Sequence, residues 1–260
     1  MVEPAVTSFP ARRTAIVTGG ASPRGIGRVT AGRLAGAGWD VAVVDIDGAG
    51  AEEVASDLAR RHGVRALGVG VDLARPEEIE PAVARVEAEL SQVVGLANIA
   101  GVASPVPFFE LDLAEWDRVF AINMRGLFVL TQRVARTMVS HGVGRIVSVS
   151  SVSAQRGGGT YSRVSYSAAK AAVLGFTRAL AREIGGQGVT VNAVSPGPID
   201  TDIMGGTLSD ERKGELVRDL PVGRVGTPAD VAATIAFLLG EDAGFITGVT
   251  YNVDGGLHIF

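Results

Sequence analysis

The feature that most constrains this chain is the regular alternation of short apolar runs with helical patterns. Runs rich in Val, Ile and Ala stand at residues 14–18, 41–45, 66–71, 94–97, 145–149, 189–194 and 249–253. Helical patterns lie between them at about 25–37, 49–62, from Pro76, 113–141 (in two pieces near Asn123), 165–185 and 228–239. Such alternation is typical of βαβ units. The sequence therefore predicts an α/β fold built on a parallel sheet of about seven strands.

The size and charge of the chain bound its organisation. Its 260 residues are 47% hydrophobic, enough for one large core, and no repeat or linker divides them. We predict a flexible leader over residues 1–13 and a single domain over residues 14–260. The net charge of −4 argues against a nucleic-acid or anionic membrane partner. No apolar run approaches the roughly 20 residues that a membrane helix needs.

Cysteine and histidine usage argues against two kinds of site. The chain has no cysteine, which rules out disulfides and thiolate metal sites and suits a reducing, cytoplasmic location. The histidines His62, His141 and His258 are far apart in sequence and lack ligand spacing. We therefore predict that the protein binds no metal.

A glycine-rich turn follows the first predicted strand and opens the first predicted helix. It reads TGGASPRGIG over residues 18–27. Glycines at a strand-to-helix turn let the backbone approach a pyrophosphate, which the positive end of the helix stabilises. Asp45 ends the second strand, 26 residues after Gly19, where a carboxylate can hold the hydroxyls of an adenosine ribose. Together the turn and the acid predict a dinucleotide-binding site.

A second pattern, between residues 148 and 170, predicts proton chemistry. A cluster of serines is followed by Tyr166 and, one helical turn later, by Lys170. A neighbouring ammonium favours the phenolate, and a tyrosine base near neutral pH needs its pKa lowered by roughly 2 to 3 units. Lys170 and Lys213 are the only lysines among 24 basic residues, which indicates a task that arginine performs poorly.

Taken together, these motifs resemble those of the short-chain dehydrogenase/reductase family. The resemblance covers nearly the whole chain, from about Thr14 to Gly256. The family's glycine motif is usually TGxxxGxG, and here two more residues separate Gly19 from Gly25. The segment NIAG at 98–101 resembles the family's NNAG, with isoleucine in place of the second asparagine. The resemblance implies a Rossmann-type, doubly wound sheet with helices on both faces, and a nicotinamide dinucleotide as cofactor.

The resemblance also assigns cofactor-binding positions near the ends of several strands. Asp72 and Leu73 match the family's adenine-contacting pair, and the segment after strand six is expected to hold the nicotinamide carboxamide. Tyr166 and Lys170 are expected to contact the cofactor too. The other positions that match are Gly19, Arg24, Gly25, Ile26, Gly27, Asp45, Asn98, Ala100, Gly101, Pro196, Gly197, Ile199 and Thr201.

Two residues give opposed signals about the cofactor. Arg24 resembles the arginine that meets the 2′-phosphate in NADP-using relatives, whereas Asp45 would hold the ribose diol of NAD and repel that phosphate. A misplaced like charge costs several kcal/mol. A partly solvated arginine contact contributes about 1 kcal/mol. We therefore predict NAD, with NADP as the alternative.

The catalytic residues follow from the same resemblance. Tyr166 would be the base for alcohol oxidation and the acid for the reverse reaction, and Lys170 would lower its pKa. Asn123 would bind a water that links Lys170 to solvent. Two serines compete to hydrogen-bond the substrate oxygen. The ending RIVSVSS matches the family motif and favours Ser151, which we prefer, whereas the spacing of 13 residues before Tyr166 favours Ser153.

The substrate side is less defined by the sequence. Residues 202–220 stand where this family places its substrate lid. Ser153, Gln155, Arg156 and Tyr161 are polar candidates to contact a small-molecule substrate. The C-terminal VDGGLHIF resembles the family's end, which commonly packs at a subunit interface, and this implies a homotetramer.

We predict an NAD-dependent oxidoreductase that interconverts a secondary alcohol and a ketone, with sugars, polyols and hydroxy acids as candidate substrates. Two alternatives stand beside it. An NADPH-dependent 3-oxoacyl-[acyl-carrier-protein] reductase is favoured by the segment RGIG at 24–27. A non-catalytic NAD(H)-sensing protein would be expected to have lost the tyrosine, the lysine or the serine, and all three are present.

Overall fold

Seven parallel strands form the centre of the computed structural model, which describes residues 8–159, 162–204, 206 and 208–259. The strands are β1 (Thr14–Thr18), β2 (Asp40–Asp45), β3 (Ala66–Gly70), β4 (Val93–Asn98), β5 (Gly144–Val149), β6 (Val189–Pro196) and β7 (Thr250–Val253). They pair in the order β3-β2-β1-β4-β5-β6-β7, each parallel to its neighbour. The predicted doubly wound α/β fold is therefore confirmed.

The α-helices cover both faces of this sheet, as predicted. Within the described residues they are α1 (Ile26–Gly36), α2 (Gly48–His62), α3 (Pro76–Glu89), α4 (Leu113–Phe120), α5 (Leu127–His141), α6 (Ser153–Arg156), α7 (Val164–Ile184), α8 (Asp210–Val217) and α9 (Pro228–Leu239). The sequence did not predict the single turn of α6. In the part of the chain that the structure describes, no helix combines the length and the apolarity needed to cross a bilayer.

Alternate residues of the strands supply two separate cores. Ile16 packs in the core that α3 and α5 close, whereas its neighbour Val17 packs in the core that α1, α2 and α9 close. All five residues of β1 are buried, as expected for a strand covered on both faces. The central strands are therefore fixed from both sides, which holds the loops at their carboxyl ends in defined positions.

The strand order reverses between β1 and β4, which are neighbours in space although two strands separate them in sequence. In open α/β sheets, ligands bind in the crevice outside the carboxyl ends of the strands at such a switch point. The glycine-rich turn follows β1 at this edge. The fold therefore brings the predicted cofactor turn to the place where the sheet itself forms a crevice.

The long helix predicted over 113–141 is present, with a change of winding at its centre. Helix α4 ends at Phe120, residues 121–126 form a π-helix, and α5 continues from Leu127. Single π turns inside α-helices are often found at functional sites. The break predicted near Asn123 is thus a π turn in a continuous helix, and it buries Asn123 to 1% exposure.

Residues 8–13 of the predicted leader pack against the domain. Phe9 is buried, and its ring meets Trp39 edge-on with the ring centres 5.7 Å apart. The guanidinium carbons of Arg13 and Arg145 lie 5.6 and 4.8 Å from the centre of the Phe9 ring. This apolar and cationic packing anchors the segment just before β1. The rest of the predicted leader, residues 1–7, lies outside the described residues.

Candidate active site

A groove of about 320 Å³ opens at the carboxyl ends of β1, β2 and β4. Many of the predicted cofactor-binding residues form its walls. They are Gly19, Gly25, Ile26, Asp45, Asp72, Leu73, Ala100, Gly101 and Thr201. These residues come from five separate segments of the chain, so the groove exists only because the parallel sheet brings the ends of its strands together.

The glycine-rich turn is tight because its two ends touch. A Cβ on Gly27 would lie 2.2 Å from the carbonyl oxygen of Gly19, so a side chain there would force helix and turn apart. Gly19 itself adopts a left-handed φ of 71°. Thr18 Oγ1 accepts hydrogen bonds from the backbone N–H groups of Ile99 and Ala100, at 2.9 and 3.0 Å. The absence of a side chain on Gly27 thus lets the start of α1 pack against Gly19. The hydrogen bonds to Thr18 Oγ1 join the ends of β1 and β4.

Asp45 is held in place at the groove by backbone donors. Its Oδ2 accepts from the N–H of Ala21, in the glycine-rich turn, at 3.0 Å. Its Oδ1 accepts from the N–H of Asp47 at 3.1 Å. The carboxylate that ends β2 is therefore fixed in orientation, and it places a negative charge in the wall of the groove.

Arg24 points to a different partner from the one that the sequence suggested. Its guanidinium donates to Asp200 Oδ1 at 2.5 Å, and its backbone N–H donates to Asp202 Oδ2 at 3.1 Å. Lys213 Nζ holds the other oxygen of Asp200 at 2.8 Å. Hydrogen bonds from Lys213, Leu208 N–H and Arg24 lower the pKa of Asp200. In this structure the charge of Arg24, which resembles the arginine of NADP-using relatives, is therefore paired with the carboxylate of Asp200.

Four further predicted cofactor residues lie outside the walls of the groove. The amide nitrogen of Asn98 donates inward to Thr131 Oγ1 at 2.9 Å, because β4 directs this side chain into the core beneath α5. A Cβ on Gly197 would lie 2.7 Å from Asp254 Cα, so this glycine permits close packing behind the site. The other two, Pro196 and Ile199, are buried. Their predicted contacts with the cofactor stay predictions.

Tyr166 and Lys170 lie together on α7, as the spacing predicted. Both are buried, with 8% and 3% exposure, and Lys170 Nζ is 5.8 Å from the centre of the tyrosine ring. Neither belongs to the groove wall itself. Gly101 joins the two regions, because it lines the groove and a Cβ on it would lie 3.1 Å from Lys170 Nζ. The ammonium of Lys170 therefore lies against the groove wall at Gly101, where the absence of a side chain leaves room for it.

The pKa values of this pair differ from the expectation. Burial raises the pKa of Tyr166, and a hydrogen bond from Ser151 opposes that rise. Burial also lowers the pKa of Lys170 from 10.5 to about 8. The pKa of Tyr166 is therefore raised on balance, whereas the sequence analysis expected it to be lowered. The physical reason is that a site closed to water disfavours both the phenolate and the ammonium.

The serine cluster is ordered by hydrogen bonds. Of the two candidate serines, Ser151 is the one that lowers the pKa of Tyr166, which favours Ser151 over Ser153 as the serine nearest the phenol. Helix α6 begins at Ser153 and turns its hydroxyl back, so that Ser153 Oγ donates to Ser151 Oγ at 2.8 Å. Ser150 Oγ donates to the carbonyl of Lys170 at 2.7 Å and ties β5 to α7. The two candidate serines are therefore direct partners.

Asn123 holds the groove wall from behind. Its Nδ2 donates to the carbonyl of Val102 at 2.9 Å, and its Oδ1 accepts from the Val102 N–H at 3.1 Å. A Cβ on Gly101 would lie 2.5 Å from this Oδ1. The π turn thus fixes the wall segment that abuts Lys170. The predicted water link between Asn123 and Lys170 stays a prediction.

Two residues expected to contact substrate face the C-terminal segment instead. Gln155 Nε2 donates to Asn252 Oδ1 at 3.0 Å, and Arg156 Nη1 donates to the carbonyl of Leu257 at 3.4 Å. The unpredicted turn of α6 explains this, because it redirects the chain directly after Ser151. Tyr161 lies outside the described residues. Of the predicted lid, Asp202–Met204 form a 3₁₀ turn and α8 follows, and its role as a lid stays a prediction.

Several wall residues were missed by sequence reasoning. Most are apolar and stand at or just after strand ends, where their identity carries no functional signal. They are Val44, Ile46, Val71, Ile99, Val102, Ile122 and Ile203, together with the polar Thr18, Ser22 and Asp202. Their position in the sequence was the signal that could have found them, since most of them are sequence neighbours of residues that were predicted.

Comparison with known proteins gives consistent matches over almost the whole chain. Residues 19–258 match the family described as enoyl-(acyl carrier protein) reductase. An uncharacterized short-chain type dehydrogenase/reductase of Sinorhizobium fredii is 40% identical over 252 residues, which are 95% of this chain and 98% of that protein. The 3-oxoacyl-[acyl-carrier-protein] reductase of Aquifex aeolicus is 39% identical, with 94% and 97% coverage. The acetoacetyl-CoA reductase of Rhizobium meliloti is 38% identical, with 94% and 98% coverage.

Proposed function

The chain belongs to the short-chain dehydrogenase/reductase family of nicotinamide-dependent oxidoreductases that act on alcohol and keto groups, and on this premise we propose that it interconverts 3-oxoacyl and 3-hydroxyacyl thioesters with NAD(H). The observation that carries the proposal is the cluster of the half-buried Ser151 with the buried Tyr166 and Lys170, directly beside a groove that ends at Asp45. The groove holds the cofactor, and the cluster handles the proton.

The walls of the groove suit a dinucleotide. At the turn, glycine keeps two walls close, since a Cβ on Gly19 would lie 3.0 Å from Ala100 Cα. The N-terminus of α1 directs its positive end at the turn, where a pyrophosphate is stabilised. Asp45 offers two carboxylate oxygens to a ribose diol at the far end. The bound nicotinamide supplies or accepts a hydride at the substrate carbon.

The cluster supplies the proton for the same reaction. In the direction of reduction, Tyr166 donates its phenolic proton to the substrate oxygen, and Ser151 donates a hydrogen bond to that oxygen as negative charge develops. Lys170 lies beside the phenol and stabilises the phenolate that remains. The same groups take up the proton when the alcohol is oxidised. This assignment requires no metal.

Two contacts support NAD(H) over NADP(H). The Asp45 carboxylate is fixed by two backbone N–H groups, so it cannot turn away from a 2′-phosphate. Arg24, the residue that favoured NADP, has its charge paired with Asp200. An unrelieved like-charge contact outweighs a partly solvated arginine contact. Both observations therefore favour the cofactor without the phosphate.

The substrate class rests on the relatives and on two contacts. The Aquifex aeolicus and Rhizobium meliloti relatives are named for 3-oxoacyl and acetoacetyl thioesters, which share a ketone two carbons from the thioester carbonyl. Gln155, Arg156 and Tyr161 were the polar candidates to contact a sugar or polyol, and Tyr161 lies outside the described residues. Gln155 and Arg156 are the two that the structure describes. Both are engaged by the C-terminal segment. We therefore favour the thioester.

The test is a comparison of cofactors and substrates at 340 nm. The purified protein should reduce acetoacetyl-CoA with NADH at a kcat/KM at least about tenfold above that with NADPH, since tenfold corresponds to about 1.4 kcal/mol. The variant Tyr166→Phe should lose turnover and retain NADH binding. A preference for NADPH would refute the role of Asp45. NADH binding without turnover of any thioester, sugar or polyol would favour the sensing alternative.

We also propose a homotetramer located in the cytoplasm. The exposed aromatic side chains of Phe109 and Phe245 support contacts between subunits. Light scattering at micromolar concentration should give a mass about four times that of the chain, which is 26.7 kDa. A monomer at that concentration would contradict the tetramer without affecting the proposed chemistry.

A further inference from the structure

The hydroxyl of Ser151 receives two hydrogen bonds from a single residue. Ser153 Oγ donates to Ser151 Oγ at 2.8 Å, and the backbone N–H of Ser153 donates to the same oxygen at 3.2 Å. Ser153 is buried, with 4% exposure, and it begins the single turn of α6. The turn thus aims two donors at the serine oxygen that stands beside Tyr166.

A serine hydroxyl has one proton to donate and two lone pairs that accept. At Ser151 both lone pairs are occupied by Ser153, so the hydroxyl proton is left for a partner on the other side. We propose that Ser153 is a positioning residue that locks Ser151 as a hydrogen-bond donor toward Tyr166 and the substrate oxygen. This inference rests on the proposed function and assigns Ser153 a role different from the substrate contact that the sequence suggested.

This fixing of Ser151 by Ser153, called the lock below, has a consequence for the phenol of Tyr166. Since Ser151 cannot accept another hydrogen bond, Tyr166 cannot direct its proton at Ser151. The phenolic proton is therefore free to point at the substrate oxygen, where reduction needs it. The donated hydrogen bond also favours the phenolate, in agreement with the lowering contribution of Ser151 to the pKa of Tyr166.

One charged side chain of α7 meets the phenol, and the arginines on the elements packed against α7 are engaged elsewhere. Lys170, from the same helix, is the charged side chain in contact with the Tyr166 ring. The arginines on elements packed against α7 have partners elsewhere, namely Arg118 with Glu115, Arg125 with the carbonyl of Ala74, Arg145 with the carbonyl of Gly240, and Arg156 with the carbonyl of Leu257. A change of the Tyr166 pKa on removal of the Ser153 hydroxyl therefore reports on the serine pair.

The test removes that hydroxyl and follows the phenol directly. The chain has three tyrosines, so ¹³Cζ-tyrosine NMR gives a resolvable set, and the variant Tyr166→Phe assigns the resonance. In Ser153→Ala, one donor to Ser151 is lost. We expect the pKa of Tyr166 to rise by about 0.5 to 1 unit, and kcat to fall by about tenfold with a KM within about twofold. Ser153→Thr, which keeps the hydroxyl, should restore both.

The matched control is Ser165→Ala. Ser165 is fully buried beside Tyr166, and its hydroxyl has no hydrogen-bond partner among the described residues. Its removal should leave the pKa of Tyr166 unchanged. An unchanged Tyr166 pKa in Ser153→Ala, or an equal shift in Ser165→Ala, would overturn the lock. The NMR titration needs no substrate, so the lock can fail while the thioester activity holds, and the reverse.

Discussion

The chain has two lysines, and they stand in opposite surroundings. Lys170 is 3% exposed, and its Nζ donates to the backbone carbonyl of Val149 at 2.9 Å. Lys213 is on α8, its side chain is 34% exposed, and its Nζ lies 2.8 Å from a carboxylate oxygen of Asp200. The first ammonium is therefore buried with a neutral partner, and the second is hydrated and paired with a negative charge.

The comparison teaches how burial changes the properties of a lysine. A buried ammonium without a counter-ion costs free energy, and that cost is what lowers the pKa of Lys170 to about 8. Perturbed groups of this kind concentrate at functional sites. A half-exposed pair such as Lys213 with Asp200 contributes little to stability and can open and close readily. Substitutions of the two lysines should therefore change activity and stability by different amounts and with different signs.

The largest effect is expected from Lys170→Met, which removes the ammonium and keeps a long apolar side chain. We expect kcat to fall by about 10²- to 10⁴-fold, because the phenolate loses its stabilising charge. The protein should become more stable near pH 7, since the buried charge is gone. Turnover at 340 nm and thermal unfolding measure both. In Lys213→Met, kcat should stay within about fivefold, and a comparable loss there would break the contrast.

The next effect is a pH dependence of stability that Lys170 alone should produce. Its pKa is lowered on folding from 10.5 to about 8, so between these pH values the unfolded chain binds more protons than the folded protein. The free energy of unfolding should therefore rise with pH over this window, by at most about 3 kcal/mol. The raised pKa of Tyr166 acts in the opposite direction, and only above about pH 10.

Urea unfolding at several pH values between about 7.5 and 9.5 isolates this contribution. The difference between the wild type and Lys170→Met should shrink as the pH rises, because the wild-type ammonium is then neutralised. The same measurement on Lys213→Met should give a difference that does not follow this window. A constant difference for Lys170→Met would show that the ammonium is not buried as described.

A smaller effect is expected from a methyl group placed beside each lysine. In Gly101→Ala the new Cβ would lie 2.5 Å from Asn123 Oδ1 and 3.1 Å from Lys170 Nζ, so the wall must shift. We expect a loss of about 1 to 3 kcal/mol in the free energy of unfolding. Gly214, on α8 next to Lys213, is the matched control, because a Cβ there meets nothing within 4 Å. Gly214→Ala should be neutral or stabilising by up to about 1 kcal/mol, and equal losses at both sites would contradict the comparison.

The sequence predicted the features that depend on local pattern. Strand β1, the turn after it and the pairing of Tyr166 with Lys170 follow from the spacing of apolar, glycine and catalytic residues along short segments. Asp45 was placed at the groove because a parallel strand fixes where its carboxyl end lies. In each case neighbours in sequence determine the position of the side chain.

The features that the sequence did not predict depend on contacts between distant segments. Arg24 meets Asp200 across 176 positions, and Arg156 meets Leu257 across 101, and neither partner can be read from local pattern. The direction of the Tyr166 pKa depends on how completely surrounding elements exclude water, which is set by packing. Spacing can therefore bring a phenol and an ammonium together without determining which way their pKa values move.

The smallest effect is expected at the Lys213 end, where Arg24 and Lys213 share Asp200. All three side chains are partly exposed, so the pairs are screened by salt. Asp200→Asn should change the Kd for NADH by no more than about fivefold, since such pairs contribute at most about 1 kcal/mol. Quenching of the fluorescence of the two tryptophans measures this Kd. The change should diminish at about 0.5 M NaCl. A larger change that persists in salt would mean that Asp200 contacts the cofactor itself, and the contrast between the surroundings of Lys170 and those of Lys213 would then fail.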